Sequence, residues 1–305
     1  MPDLAVIIVS WNVRGLLVAC LRSLFADLAR AGLTAQVWVV DNGSTDGTPE
    51  VVARTFPGVH LVANDENLGF AGGNNVGLKA ILEAEPASRP EFIWLLNPDT
   101  EVLPGATAAL LASLRAHPRA GVAGAKLLYG DGSFQHGGFR FPGLTQLLFE
   151  FFPLPARLYD TALNGRYPRR RYERAAPFLV DHPLGATMLV RTAAVGQVGV
   201  MDEAYHMYCE EIDWCWRMRK KGWRALCVPT ARVIHHAGQS TAQVPIPSFV
   251  NLWTSRARLY RHHHGPVTRR LARTIVRAGL RRRARNAAPE MAAACRQLLQ
   301  AWERV

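Results

Sequence analysis

The first hundred residues alternate short apolar, β-branched runs with longer stretches of helical period. Residues 4–9, 37–40, 59–63 and 92–96 read as strands, and 15–31, 48–55 and 72–83 as helices. A βαβαβα series of this kind predicts an α/β fold on a mostly parallel central sheet flanked by helices. Open sheets bind ligands beyond the carboxyl ends of their strands. The segments there are Ser10-Trp11-Asn12, Asp41-Asn42-Gly43-Ser44, Asn64 to Asn67 and Asn97-Pro98-Asp99, all polar and turn-forming. Over 130–177 no steady period survives, and the segment reads as loops and short elements covering a site. Order returns with a strand over 185–190, a helix over 210–221 stopped by Gly222, and strands at 225–228 and 233–236. After about Pro266 an arginine-rich amphipathic helix or pair of helices is expected.

Composition narrows the class. A chain of 305 residues, 49% hydrophobic and 20% charged, with 25 Gly and 19 Pro, is neither disordered, collagenous nor coiled-coil. No run approaches the roughly 18 apolar residues of a membrane span; the best, 146–155, carries Glu150 and two prolines. Met1-Pro2-Asp3 lacks the positive start of a secretion signal, so a cytoplasmic location is expected. Five cysteines without CxxC spacing predict reduced thiols. The net charge of +12 is concentrated at the C-terminal end, where 269–285 holds eight arginines and no acid. A nucleic acid, an anionic membrane surface or an acidic partner would each suit that block.

Several constellations carry candidate chemistry. Asp41 ends a strand, where its carboxylate would accept from a base N–H or a ribose hydroxyl; the plain alternative is a well-made strand–helix turn with Thr48 or Asp46 as cap. Asn67-Leu68-Gly69-Phe70-Ala71-Gly72-Gly73-Asn74-Asn75 reads as a second glycine-rich turn into a helix, and Phe70-Ala71 breaks the dinucleotide-binding GxGxxG spacing. Its glycines either admit a diphosphate at a helix N-terminus or serve close helix–sheet packing. Asp99 stands at the mouth of the sheet as a Mg²⁺ or Mn²⁺ ligand, or as a cap, with Thr100, of a helix starting near Pro104. On the helix from Glu210, the i,i+4 spacing of Asp213 and Arg217 predicts an ion pair, which makes Asp213 structural before catalytic. Glu211 shares the face of Trp214, Cys215 and Met218, where desolvation and the helix N-terminus pull its ionisation in opposite directions, as suits a general base. His235 and His236 follow a strand, and His262-His263-His264 reads as a solvated cluster.

In this order the motifs resemble the family 2 inverting glycosyltransferases of GT-A fold, in particular the rhamnosyl- and galactofuranosyltransferase-like branch, over about residues 4–240. The resemblance implies a GT-A domain at 1–265, its nucleotide-binding half at 1–125 and its acceptor and catalytic half at 126–265, followed by an arginine-rich helical tail at 266–305. It implies nucleotide-sugar contacts from Ser10, Trp11, Asn12, Asp41, Asn67, Gly69, Phe70, Gly73, Asn74, Asn97 and Gly185. Asn97-Pro98-Asp99 stands where the family has Asp-x-Asp, so Asp99 inherits the divalent cation, Mg²⁺ or Mn²⁺. Glu210-Glu211-Ile212-Asp213 stands for Glu-Asp-x-Asp, which makes Glu211 the base, with Glu210 and Asp213 as lesser candidates. His235, placed before Gly238 and Ser240, resembles the distal metal or diphosphate histidine, with His236 as the alternative.

The implied reaction moves a rhamnose-like or other hexose from a dTDP- or UDP-sugar to a glycan or lipid-linked glycan hydroxyl with inversion, in bacterial surface polysaccharide or cell-wall synthesis. The implied location is peripheral, at the inner face of the cell membrane, with the arginines on anionic lipid and no nucleic acid bound. The competing readings are a nucleotidyltransferase, which the absence of a glycine-rich, lysine-containing activation loop disfavours, and a catalytically silent scaffold or nucleic-acid binder.

Overall fold

The computed structural model describes residues 2–238 and 243–305; Ser240 lies outside them. The chain opens with β1 (Leu4–Ser10), α1 (Arg14–Ala31), β2 (Ala35–Asn42), α2 (Thr48–Thr55), β3 (His60–Asn64), α3 (Gly69–Glu83) and β4 (Phe92–Leu96). β1 pairs in parallel with β2 and β4, and β2 with β3. Helices cover both faces of these strands, so β1 and β4 are apolar almost throughout rather than alternating. Leu4, Val6 and Ile8 point to one core with Leu17, Leu21, Val52 and Leu110; Ala5 and Ile7 point to the other with Ala71, Val195 and Trp214.

The sheet continues with β5 (Thr100–Val102), α4 (Ala106–Ala116) and β6 (Ala120–Leu128). Four short elements follow: β7 (Phe134–Gln135), β8 (Gly138–Phe139), α5 (Leu144–Phe151) and α6 (Arg169–Tyr172). Next come β9 (Phe178–Val180), β10 (His182–Pro183), β11 (Thr187–Arg191), α7 (Thr192–Val198), α8 (Glu210–Lys220) and β12 (Arg224–His235). The spatial order is β3-β2-β1-β4-β11-β6-β12-β5. The sheet is mixed, because β11 lies antiparallel between β4 and β6. That reversal puts the start of β11, not its end, at the mouth beside Asn97, whose N–H donates to the Ala186 carbonyl at 2.9 Å.

Three local expectations change. Thr100 and Asp99 cap no helix: Thr100 begins β5, which pairs with β12, and the N–H groups at the start of α4 go to the Asp27 carboxylate from α1, at 2.6 Å from Gly105 and 2.9 Å from Thr107. The glycine-rich segment is no turn from Gly69 onward but the first turns of α3. The strands expected at 225–228 and 233–236 are one strand, β12, whose register against β6 shifts between Val228 and Arg232.

The chain ends with α9 (Pro245–His263), α10 (Pro266–Arg285) and α11 (Pro289–Glu303). They share a third core with α5, built on Leu147, Trp253, Tyr260, Val276, Leu280, Leu298 and Trp302. The Trp302 indole N–H donates to the Trp253 carbonyl at 3.0 Å. Among the described residues no helix is long and apolar enough to cross a membrane. All five cysteines are free and buried.

Candidate active site

A cavity of about 290 Å³ lies at the carboxyl ends of β1, β2 and β4. Ser10 and Trp11 line it from β1, Asn42 from β2, Asn67, Gly69 and Phe70 from the start of α3, and Asn97 and Asp99 from the end of β4. Gly185 enters ahead of β11, Met207, Tyr208, Glu210 and Glu211 around the start of α8, and His235 and Gly238 after β12. No residue of 130–177 lines it, so that segment does not cover the site as its loose pattern suggests. Its contribution is support from behind.

A relay of amides shapes the wall nearest α3. The Asn64 amide donates to Asn42 Oδ1 at 3.0 Å, the Asn42 amide to the Gly69 carbonyl at 3.0 Å, and Gly69 N–H to Asn67 Oδ1 at 2.9 Å. Gly69 has φ +71°, and a Cβ there would collide with the His206 carbonyl, which accepts from Phe70 N–H at 2.9 Å. Gly73 packs so tightly on β1 that a Cβ would lie 2.6 Å from Val9 Cγ1.

Four expected nucleotide contacts are therefore not on the cavity wall. Gly73 serves packing, and Asn74 turns its amide back to the Phe70 carbonyl at 2.9 Å. Asp41 directs both oxygens to Ser44, at 2.8 Å from the N–H and 2.6 Å from the hydroxyl, closing the strand–helix turn. Asn12 accepts from Thr45 N–H at 2.8 Å. Asp41 thus closes its own turn, as turn chemistry alone favours, Asn12 ties the first strand–helix loop to the second, and Gly73 and Asn74 serve α3 itself.

Asp99 and His235 meet where β4 and β12 end. Asp99 Oδ1 is 3.5 Å from His235 Nε2, and both side chains are almost wholly buried. His235 Nδ1 faces Gln135 Oε1 at 3.1 Å. An amide oxygen only accepts, so Nδ1 carries the hydrogen and the lone pair of Nε2 points at Asp99. Burial holds the imidazole below its ordinary pKa, with Asp99 opposing. Asp99 Oδ1 and Asn97 Oδ1 are buried without a hydrogen-bond partner. His236 turns the other way, to Glu101 Oε1 at 2.8 Å.

The acidic segment divides as its spacing suggests. Asp213 does not line the cavity. Its oxygens take Arg217 Nε at 2.7 Å and His263 Nε2 at 2.7 Å, while Arg217 also donates to the Val198 and Val200 carbonyls at 2.6 and 2.9 Å. Burial alone would raise the Asp213 pKa, but these two partners hold it below its ordinary value. His263 is thus a buried partner stacked on Trp216, and His264 stacks on Tyr260; the expected solvated cluster is not formed, because α9 lays its last turn against α8.

Glu210 and Glu211 both open on the cavity, each with one buried oxygen lacking a partner. Burial raises Glu211 to about 7, and backbone N–H groups at the start of α8 limit the rise. Burial raises Glu210 as well, reinforced by the charge of Glu211 beside it.

The four non-glycine residues with positive φ among those described are Asn12, Tyr208, Cys209 and Ala237. Tyr208 lines the cavity, Ala237 precedes the lining Gly238, Asn12 follows Trp11, and Cys209 precedes Glu210. Tyr208 and Cys209, at +69° and +68°, turn the chain sharply into α8. Asn75 anchors the approach, exchanging hydrogen bonds with Met201 at 2.9 and 3.0 Å, and Ser255 of α9 donates to the Met207 carbonyl at 2.8 Å. Sequence reasoning missed Met207, Tyr208 and Gln135, which carry no motif of their own.

A mixed α/β sheet with a cavity beyond the carboxyl ends of its parallel strands is the architecture of nucleotide-binding α/β enzymes. Within that class the chain belongs to glycosyl transferase family 2, whose sequence model matches residues 5–199. It is 35% identical over 222 residues to the N-acetylglucosaminyl-diphospho-decaprenol L-rhamnosyltransferase of Mycobacterium tuberculosis, over 68% of this chain and 69% of that protein. Among solved structures, GalNAc-T7 with UDP, GalNAc and Mn²⁺ shares the fold with TM-score 0.60 at 16% identity, over 86% of this chain and 48% of that one. The mannosyltransferase PcManGT of Pyrobaculum calidifontis, in complex with GDP-Man and Mn²⁺, superposes with TM-score 0.55 at 15% identity, over 99% of this chain and 84% of that one. The chain thus spans about half the length of the GalNAc-T7 chain.

Proposed function

We propose that this protein transfers a hexose, rhamnose first among the candidates, from a dTDP- or UDP-sugar to a hydroxyl of a lipid-linked glycan at the inner membrane face, with inversion, in cell-wall or surface-glycan synthesis. One observation carries the reading: the same cavity receives a buried carboxylate pair held above its ordinary ionisation range and a carboxylate–imidazole pair whose Asp99 has an unpartnered oxygen. The mycobacterial rhamnosyltransferase supports the choice of sugar and lipid acceptor.

Asp99 and His235 offer one carboxylate oxygen and one neutral imidazole nitrogen, a donor set that fits Mg²⁺ or Mn²⁺ with a diphosphate completing the shell. Bound there, a divalent cation supplies neutralisation of the charge that builds on the departing nucleoside diphosphate. The Mn²⁺ in both solved neighbours supports this assignment. Ser10, Trp11, Asn67 and Phe70 hold the nucleotide end, with Asn97 beside the diphosphate and Gly185 leaving room for the sugar between Phe70 and Glu211, whose carbons a Cβ there would meet at 3.6 and 3.7 Å. Glu211 takes the proton of the acceptor hydroxyl, and that oxygen attacks the anomeric carbon from the face opposite the diphosphate.

The test is a panel of dTDP-, UDP- and GDP-sugars with and without Mn²⁺, followed by thermal shift and by transfer to polyprenyl-diphosphate-linked N-acetylglucosamine. The reading requires metal-dependent stabilisation by one nucleotide class, lost in Asp99→Ala, and transfer lost in Glu211→Gln with nucleotide binding intact. Full transfer by Glu211→Gln would refute the base; no stabilisation by any nucleotide sugar would refute the donor.

A further inference from the structure

α10 has two apolar stripes, and the fold uses only one of them. Ala272, Val276, Gly279 and Leu280 are buried against α5 and α11, and Gly279 touches the Phe151 ring. Val267, Leu271 and Ala278, at i, i+4 and i+11, lie on the opposite face and are all exposed, with Thr274 between them turning its hydroxyl back to the Arg270 carbonyl at 3.0 Å. Val267 is 72% and Leu271 48% exposed, the first among the highest values for a large apolar side chain in the protein. Arg270, Arg281 and Arg285 are exposed along the same outer side, and the whole helix holds eight arginines and no acid.

A solvated helix face needs charge but gains nothing from a central apolar stripe. An apolar stripe bordered by arginines, on a helix too polar to insert, is the pattern of a helix lying in the plane of a lipid interface. We propose that the outer face of α10 docks the protein on an anionic membrane surface, Val267 and Leu271 entering the headgroup boundary and Arg270, Arg281 and Arg285 engaging lipid phosphates. Nucleic acid would match the charge but leave the two apolar side chains without a role, since no aromatic residue is interleaved for base stacking.

Docking there connects to the cavity. α10 shares its core with α9, and α9 holds the cavity wall through Ser255 to Met207, Arg258 to Asp202 at 2.7 Å and His263 to Asp213. The proposal stands on the outer face of α10 alone and does not depend on the identity of the sugar or on the base.

The experiment is co-sedimentation of the full chain with vesicles of phosphatidylcholine, and with vesicles in which about a third of the lipid is phosphatidylglycerol. Three forms are compared: the unaltered protein, Val267→Ser with Leu271→Ser, and Arg270→Gln with Arg281→Gln and Arg285→Gln. All five positions are exposed, and far-UV circular dichroism checks that each variant is folded. Binding to the anionic vesicles only is expected, weakened about a hundredfold by the arginine substitutions and about tenfold by the serine pair. Equal binding to neutral vesicles, or unchanged anionic binding in both variants, overturns the proposal. So does loss of single-stranded DNA binding in the arginine variant with vesicle binding unaltered, which would assign the face to nucleic acid.

Discussion

Gln135 Oε1 lies 3.1 Å from His235 Nδ1, so a buried amide of β7 sets which nitrogen of the imidazole faces Asp99. Gln135→Leu removes that acceptor and frees the ring to take the other tautomer. Affinity for Mn²⁺ in the presence of a nucleoside diphosphate is expected to fall about 10- to 100-fold. Titration calorimetry with the diphosphate held constant measures it, and affinity within twofold of the unaltered protein would remove Gln135 from the site.

The raised pKa of Glu211 has opposite effects on activity and stability. As the base, Glu211 works when ionised, so kcat is expected to rise with pH through about 7 and level off above it. Folding moves this pKa upward from an ordinary value of 4.5, so its stabilising contribution is whole below 4.5 and is lost as pH rises through about 7. Glu211→Gln should therefore lower kcat by about 10²- to 10⁴-fold while gaining about 3 kcal/mol of stability at pH 8 relative to pH 4. A pH-rate profile and urea melts at the two pH values check both halves.

Asp213 is expected to matter for stability and not for the chemical step. Asp213→Ala leaves Arg217 and the buried His263 without their shared carboxylate and should cost about 3 kcal/mol. Chemical denaturation measures the loss. At a temperature where the variant stays folded, kcat within a few-fold of the unaltered enzyme is expected, and a loss as large as that of Glu211→Gln would return Asp213 to the catalytic set.

Gly73→Ala tests whether the glycines of α3 act through packing. A methyl 2.6 Å from Val9 Cγ1 and 3.1 Å from the Asn42 amide must push α3 off β1. About 1–3 kcal/mol of destabilisation is expected, with a higher KM for the donor because Asn67, Gly69 and Phe70 shift with the helix. Gly196→Ala, on α7 in open space, is the control expected to leave KM unchanged and to add about 0.5–1 kcal/mol of stability.

Where a strand or helix was legible, local chemistry agreed with the tertiary outcome. β1 and β4 are buried on both faces and read as unbroken apolar runs, and Thr48–Thr55 has its proline in the first turn. β6 was not legible: its AGVAGAKLL run is poor in strand formers, and it is central because Gly124 and Gly121 admit Pro183 and Trp223 close to the backbone. α9 begins with two prolines within three residues, which hide a helix start although the first turn tolerates them. For the site, the resemblance to the family singled out Asp99, His235 and Glu211, which do line one cavity, whereas Asp41 bonds within its own turn and Asn74 within α3. The family match ends at residue 199, so Tyr208, Glu210, Glu211 and His235 all lie beyond it. Their convergence depends on Asn75 and α9 holding the approach to α8, which no local pattern announces.

The five buried thiols have a practical consequence. Burial raises the pKa of every one, Cys20 to about 12, so each stays protonated and out of reach of maleimide in the folded protein. A single cysteine placed at exposed Val267 would then be the one labelled position without any background substitutions. A nitroxide or environment-sensitive dye attached there would report its depth in a bilayer directly from the otherwise unaltered chain.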